Sequence, residues 1–493
     1  MQMIRSIRFE KGAAILCILL SVLSVCFYAN DHTVPAISVF SIAAIFLIAA
    51  FYIHDKQRLF SLVVFIVPLS IGVSVFSGSE LQFPTEPLIG LLLILFLCSR
   101  SGSLSLGKDL FASPISILIF LEVCWLLMTS MASQIGIVSF KYTLIRSCYA
   151  LFFFFLGLQW IRHTGKPEQL FLFYAFGLLL PVIRGMIFHA HFGFSHQTAY
   201  QMPKPFFNDH TIYGACIAFV LPMLACLVFG KKHFRNSGSW NIILVMLFVF
   251  LFIAEFLSYS RAAWLSLLVA AVLGILLWMR IRAWQLAMLL LVIGSGMYLE
   301  RNFILAKLDE KKAISTSGDL EEHVKSIANI ETDASNKERI NRWKCAIRMG
   351  NERPLFGFGP RTYKFLYWQY QQEEDMTYTS TFYGNKGHSH SEYLSAYAEE
   401  GIPGFMLHSF LFLGTLLFGV NVARNCRDKK NRLIAIGALL GFSTYFVHGF
   451  FNSFMEDDKM ASLVFIAMAI LVYIREQESK AIRNGSHSNS IAE

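Results

Sequence analysis

Residues 12–29 read GAAILCILLSVLSVCFYA, an uncharged block in which nothing is more polar than Ser21, Ser24 and Tyr28. Wound as a helix rising about 1.5 Å per residue, such a block nearly crosses the roughly 30 Å of hydrocarbon in a bilayer. Comparable blocks recur near 34–54, 58–78, 83–99, 110–132, 138–161, 167–190, 212–230, 239–259, 262–279, 281–299, 403–423, 432–452 and 460–476. The block at 83–99 is short and holds Pro84 and Pro87, and 262–279 follows its predecessor almost without a loop, so the count is 12–14. Composition agrees: 55% of the 493 residues are hydrophobic and 15% are charged, against about 25% charged in soluble domains. Backbone groups inside lipid must be paired within their own segment, and no alternating barrel pattern competes. The fold class is all-α, a polytopic membrane protein with about 12–14 transmembrane helices.

Basic residues set the orientation. Arg5, Arg8 and Lys11 fall in one set of connections, with Lys56 and Arg58, Arg100 and Lys108, Arg162 and Lys166, and Lys231, Lys232 and Arg235. Arg280 and Arg282 continue it, followed by Arg424, Arg427, Lys429, Lys430 and Arg432 and by the tail. The alternate short connections hold little beyond Lys204, Arg261 and Lys459. Both termini are therefore expected in the cytoplasm, with residues 1–299 and 403–476 forming the bundle, 300–402 one large external (periplasmic) loop containing short helices, and 477–493 a cytoplasmic tail. The formal charge of +9 is then topological and points to no nucleic acid. The first block is too long for a signal-peptide core and lacks a small-residue cleavage site, so it is expected to remain as a span. Of nine cysteines only Cys345 lies in the external segment, which excludes an internal disulfide there.

Within that segment, 307–338 is polar, and 339–350 (RINRWKCAIRMG) places Ile340, Trp343 and Ile347 on one helical face, with Arg339 sharing that buried edge. Aromatic residues crowd 363–383, as suits a membrane interface or stacking on sugar rings. Three clusters on the external side could carry chemistry. Arg261, in Tyr259-Ser260-Arg261, lies where one span gives way to the next. A guanidinium at that depth needs a partner or a wet cavity, and its planar fork suits phosphate oxygens. His388 and His390 stand two apart before Glu392, and a histidine can take a proton from a sugar hydroxyl near neutral pH. His-x-His is also seen at metal sites, but no third soft ligand lies nearby, so no metal is expected. Arg184 lies deep in an apolar stretch, ahead of Asp209 and His210, and Asp209 could equally cap the next helix. Glu255 is expected to pair with an arginine, and Asp457 and Asp458 to be solvated.

At these residues the chain resembles the O-antigen ligase and polysaccharide polymerase superfamily of bacterial membrane proteins. The matching pieces are Ser260-Arg261-Ala262, Arg339-x-x-x-Trp343 running into Arg353-Pro354-Leu355-Phe356-Gly357-Phe358-Gly359-Pro360, and His388-Ser389-His390-Ser391-Glu392-Tyr393-Leu394 leading to Glu400-Gly401-Ile402-Pro403-Gly404. Phe206-Phe207-Asn208-Asp209-His210 matches as well, so the resemblance covers about 200–460. It implies a metal-independent, cofactor-free, inverting glycosyltransferase of the inner membrane. The donor would be an undecaprenyl-diphosphate-linked glycan, and the acceptor lipid A-core in a ligase or another lipid-linked glycan in a polymerase. Carried over, Arg261 and Arg339, with Arg184 behind them, would bind the diphosphate. His390, or else His388, would orient or deprotonate the acceptor hydroxyl; Glu392, Asp209 and His210 are secondary candidates. The family usually has about twelve spans, which sets it against the upper end of the count. A transporter or flippase is the alternative of another class. It requires ionisable groups facing inward near mid-membrane, for which Lys141 and Arg146 are the candidates, and internal repeats, of which none is seen.

Overall fold

The computed structural model describes residues 56–490 apart from 77–78, 99–106, 108, 112, 235–236, 280–333, 378–379 and 381–386. The expected spans 12–29, 34–54 and 281–299 lie outside the described residues. The chain divides into two units, Met1–Ile66 and Val67–Glu493. In the first, helix α1 runs over Lys56–Ile66. The block expected at 58–78 is therefore not one spanning helix. Val67–Leu69 form a 3-10 turn, and β1 (Ile71–Phe76) pairs antiparallel with β2 (Ser79–Phe83), Ile71 opposite Phe83 and Val73 opposite Leu81. Pro68 has no amide hydrogen to continue a helix, and the alternating Ile71, Val73 and Val75 favour a strand.

In the second unit α2 is the short apolar helix Thr85–Cys98. Then follow α3 (Pro114–Met131), α4 (Gly136–Thr164), α5 (Glu168–His191), α6 (His210–Phe229), α7 (Gly238–Phe256) and α8 (Arg261–Trp278). A polar helix, α9, spans Ala334–Glu352, and the chain ends in α10 (Glu392–Asn425), α11 (Lys429–His448) and α12 (Asp458–Ser490). Eight described helices, namely α3–α8, α10 and α12, are long and apolar enough to cross a membrane. Side-chain caps start several of them: Ser113 accepts from the Ser116 amide (3.1 Å) and Asp428 from that of Asn431 (2.7 Å). Within α4 the Ala150–Leu156 segment widens into a π-helix that buries Phe152, Phe153, Phe154 and Phe155.

The core follows from sidedness. α12 is apolar on all faces from Met460 to Val472 and is buried on all of them, which makes it the central helix. α6 and α11 run antiparallel at close approach. A β-carbon on Gly441 would come within 2.5 Å of the Phe219 carbonyl oxygen, and one on Gly437 within 2.8 Å of Met223 Sδ. Small residues at such a crossing let two backbones touch. Gly274 of α8 lies against Leu440 of α11, and Gly214 of α6 against Ser258 and Ser260. This antiparallel register carries the starts of α6 and α8, with Asp209 and Arg261, to the end of α11 that bears His448.

Asp457 and Asp458, expected to be solvated, are buried. Lys459, itself 1% exposed, explains them: its Nζ lies 3.2 Å from Asp458 and 3.7 Å from Asp457, and it donates to Ser70 Oγ (2.7 Å) near the hairpin. Glu255 is also buried, but neither carboxyl oxygen has a hydrogen-bond partner, and Trp264 donates to its backbone oxygen instead of an arginine reaching its side chain.

Segment 334–402 packs around α9. The face that α9 buries is Asn341, Arg342, Cys345, Ala346 and Met349, not Ile340, Trp343 and Ile347; Ile347 is 43% exposed. The aromatic run supplies its partners: Tyr363 and Tyr367 are stacked (5.2 Å between centroids) in a core with Phe358 and Ala398, so they are not interfacial. The start expected for a span at 403 falls inside α10, where Gly401 breaks the helix with φ of 72°.

Candidate active site

The two histidines sit on a short strap that α9 holds from one side. Arg342 Nη1 donates to the carbonyl of His388 (3.3 Å) and Trp343 Nε1 to that of His390 (3.2 Å). Gly387 makes this possible: its φ is 114°, and a β-carbon there would fall on the Arg342 guanidinium. The His390 amide donates to His388 Nδ1 (3.2 Å), which leaves His388 its proton on Nε2, and the rings lie 4.2 Å apart. His390 adopts φ of 55°, a conformation a non-glycine residue holds only when its surroundings enforce it. Its Nδ1 is buried without a hydrogen-bond partner.

The surroundings are cationic. Burial, then Arg361, and then Arg342 and Arg339 push the His388 ring down to about 4, opposed by Asp209. Burial and then His388, Arg339 and Arg342 hold His390 well below its usual range, opposed by Asn452. Both rings are therefore neutral bases at neutral pH. Arg339 also lies within electrostatic reach of His448, as does Asp209. His448 Nδ1 is 3.1 Å from Asn452 Nδ2, and its ring packs on Phe454. One neighbourhood thus gathers His388, His390, His448, Asn452, Arg339, Arg342 and Arg361, with Asp209 at its edge.

The remaining candidates fall in different places. Asp209 caps α6, accepting from the Thr211 amide (2.7 Å), its hydroxyl (2.5 Å) and the Ile212 amide (3.1 Å). His210 is buried and packs on Tyr200 at 4.3 Å. Arg261 is half-buried at the first position of α8, at the same end of the bundle as His448. Arg184 is not brought to the histidines: it is exposed, donates to the Met202 carbonyl (3.3 Å) and lies over Phe188. Glu392 is a brace. Its Oε1 accepts from the amides of Phe454 (2.6 Å) and Met455 (2.8 Å) and from the Tyr445 hydroxyl, and its Oε2 from Ser453 (3.2 Å).

Sequence reading missed His448, Asn452, Arg342 and Arg361. The first two end an apolar run, FVHGFFN, that reads as the tail of a span; Arg361 directly follows the Arg353–Pro360 motif, which was the available signal. Arg361 pairs with Glu456, and Glu399 Oε1 accepts from the Tyr363 amide (2.9 Å), which fixes the loop carrying Arg361. Among the described residues no group of three histidine, cysteine, aspartate or glutamate side chains is arranged to hold a metal ion.

Residues 246–409 match the O-antigen ligase family model. That O-antigen ligase match contains Arg261, Arg339, Arg342, Arg361, His388, His390 and Glu392, and excludes Arg184, Asp209, His210 and His448. No curated protein matches the chain. With the membrane helices, that match supports an O-antigen ligase- or polymerase-like membrane enzyme and fits a multi-pass protein of the bacterial inner membrane.

Proposed function

We propose that the protein transfers a glycan from an undecaprenyl-diphosphate carrier to a hydroxyl of lipid A-core, at the outer face of the inner membrane. The observation that carries this reading is the pair of neutral, enclosed histidines beside Arg339. His390 takes the proton of the acceptor hydroxyl. The freed oxygen attacks the anomeric carbon opposite the diphosphate, the sugar–phosphate bond breaks, and configuration inverts. The leaving diphosphate gains charge as the bond breaks, and guanidinium groups placed beforehand stabilise it most at that moment. Arg339 and Arg261 fill that role; Arg184, bonded to Met202, stays outside it. No step needs a metal. The basic connections then face the cytoplasm and segment 334–402 the periplasm.

The test gives the purified protein, in lipid and with chelator, an undecaprenyl-diphosphate glycan with and without lipid A-core, and follows products by mass. Product only with lipid A-core supports ligation. Lengthened lipid-linked glycan without it supports a polymerase. Activity restored by added metal would overturn the metal-free mechanism.

One observation favours a transporter: Arg146 does face inward, 2% exposed, with its Nη2 3.2 Å from Glu122, whose other neighbour is His408 (2.9 Å). Movement of the lipid-linked glycan between leaflets, with no product in either reaction, would establish that reading.

A further inference from the structure

A cavity of about 930 Å³ lies at the other end of the helices that carry the site, between α6, α7, α8 and α11. Its walls are apolar, among them Leu221, Phe252, Leu267 and Leu440, and Phe229 and Trp278 stand about its side, 79% and 82% exposed. Where α11 begins, the lining changes character: Lys429, Arg432 and His233 face the cavity, and among the described residues no acidic side chain lines it. The nearby acids are engaged elsewhere. Asp428 caps the Asn431 amide (2.7 Å), and Glu168 pairs with Lys430 (2.9 Å). Arg432 Nε is buried without a hydrogen-bond partner. An arginine nitrogen left unpaired out of water is costly, and an anion at this end of the cavity would satisfy it.

We propose that this groove binds an anionic phospholipid, its acyl chains along the apolar walls and its phosphate on Arg432, with Lys429 and His233 beside it. The size lies within the range of small-molecule sites, and a guanidinium fork matches phosphate oxygens. Basic pockets between membrane helices on one side of the bilayer recognise anionic headgroups in this way. The lipid-linked substrate is not the occupant, because Asp209, Arg261 and His448 lie at the opposite ends of α6, α8 and α11. A lipid wedged there would brace those three helices against one another, and with them the site. This inference does not depend on which reaction the site performs.

The test is native mass spectrometry and thermal unfolding of delipidated protein, with phosphatidylglycerol or phosphatidylethanolamine added. Phosphatidylglycerol should bind one per chain and raise the unfolding temperature, and phosphatidylethanolamine should do neither. Arg432→Gln should weaken phosphatidylglycerol binding by about tenfold or more, the worth of one charge-assisted hydrogen bond. Ala271→Phe, which fills the groove without touching the basic cluster, should abolish it. Equal binding of both lipids, or full binding by Ala271→Phe, would overturn the proposal, and either variant alone suffices if the other does not fold.

Discussion

At the scale of single residues, the histidines and arginines divide the work in a way kinetics can separate. Arg339→Ala removes a cation placed for charge that develops in the transition state, so kcat should fall by about 10²-fold or more with protein level unchanged. Arg184→Ala, whose side chain bonds Met202 away from the histidines, should behave like the parent. Wild-type transfer by Arg339→Ala would remove the diphosphate role. His390→Ala should leave donor binding intact and cut transfer by about 10²–10⁴-fold, the range for a general base; lost donor binding would move His390 to the donor side. The pH profile follows from the same cations. Burial and Arg361 hold His388 at about 4, below its ordinary value, so the neutral ring that accepts from the His390 amide and holds the base in place is present above that pH and is lost as pH falls through it. kcat/KM should therefore be flat through neutral pH and fall only near about 4. Removing a cation raises a neighbouring histidine's pKa, so Arg361→Gln should move this acid limb to higher pH. An unmoved limb would mean that another group titrates.

Among the elements, α9 buries a face other than the one its apolar pattern suggests. Ile340, Trp343 and Ile347 read as the buried stripe, but Arg342 and Cys345 face inward, because the partner surface is the Tyr363–Tyr367 stack and Arg342 lies over the Tyr367 ring. Periodicity sees hydrophobicity and cannot see an arginine that buries its stem against tyrosine and its head on Glu338. Residues near the strap were legible because Gly and His punctuate it. His448 and Asn452 were not, because only the antiparallel packing of α11 brings them to the site. Trp343 is then a positioning residue, held 3.2 Å from the His390 carbonyl. Trp343→Phe keeps most of the packing and loses that one hydrogen bond. It should lower kcat by more than its effect on unfolding temperature would suggest, with KM for the donor little changed. A parallel fall in both stability and KM would instead mark Trp343 as ordinary packing.

Over the whole molecule, hydropathy located most helix bodies closely, since 114–131, 168–191, 210–229 and 238–256 differ from the expected blocks by only a few residues. It failed where neighbours rather than composition decide: Pro68 and the β1–β2 hairpin cut one block short, and Lys459 draws Asp457 and Asp458 inside. The same limit hid the buried junction of α3, α4 and α10. There Arg146 and His408 converge on Glu122, and Trp125 donates to the Glu400 carbonyl (3.0 Å) while stacking on Phe356 of segment 334–402 (5.6 Å). This junction ties the bundle to the loop that carries Arg361. A buried pair gives little net stability over an apolar replacement, yet breaking it by removing one partner strands a charge and costs about 3–5 kcal/mol. Glu122→Leu should accordingly lower the unfolding temperature in detergent strongly, whereas Glu122→Leu combined with Arg146→Met should recover most of the loss. If the network only holds the bundle together, the double variant regains transfer as it regains stability. If instead it carries protons through the membrane, the double variant folds but does not move the lipid-linked glycan between leaflets as the parent does, which would support the transporter reading.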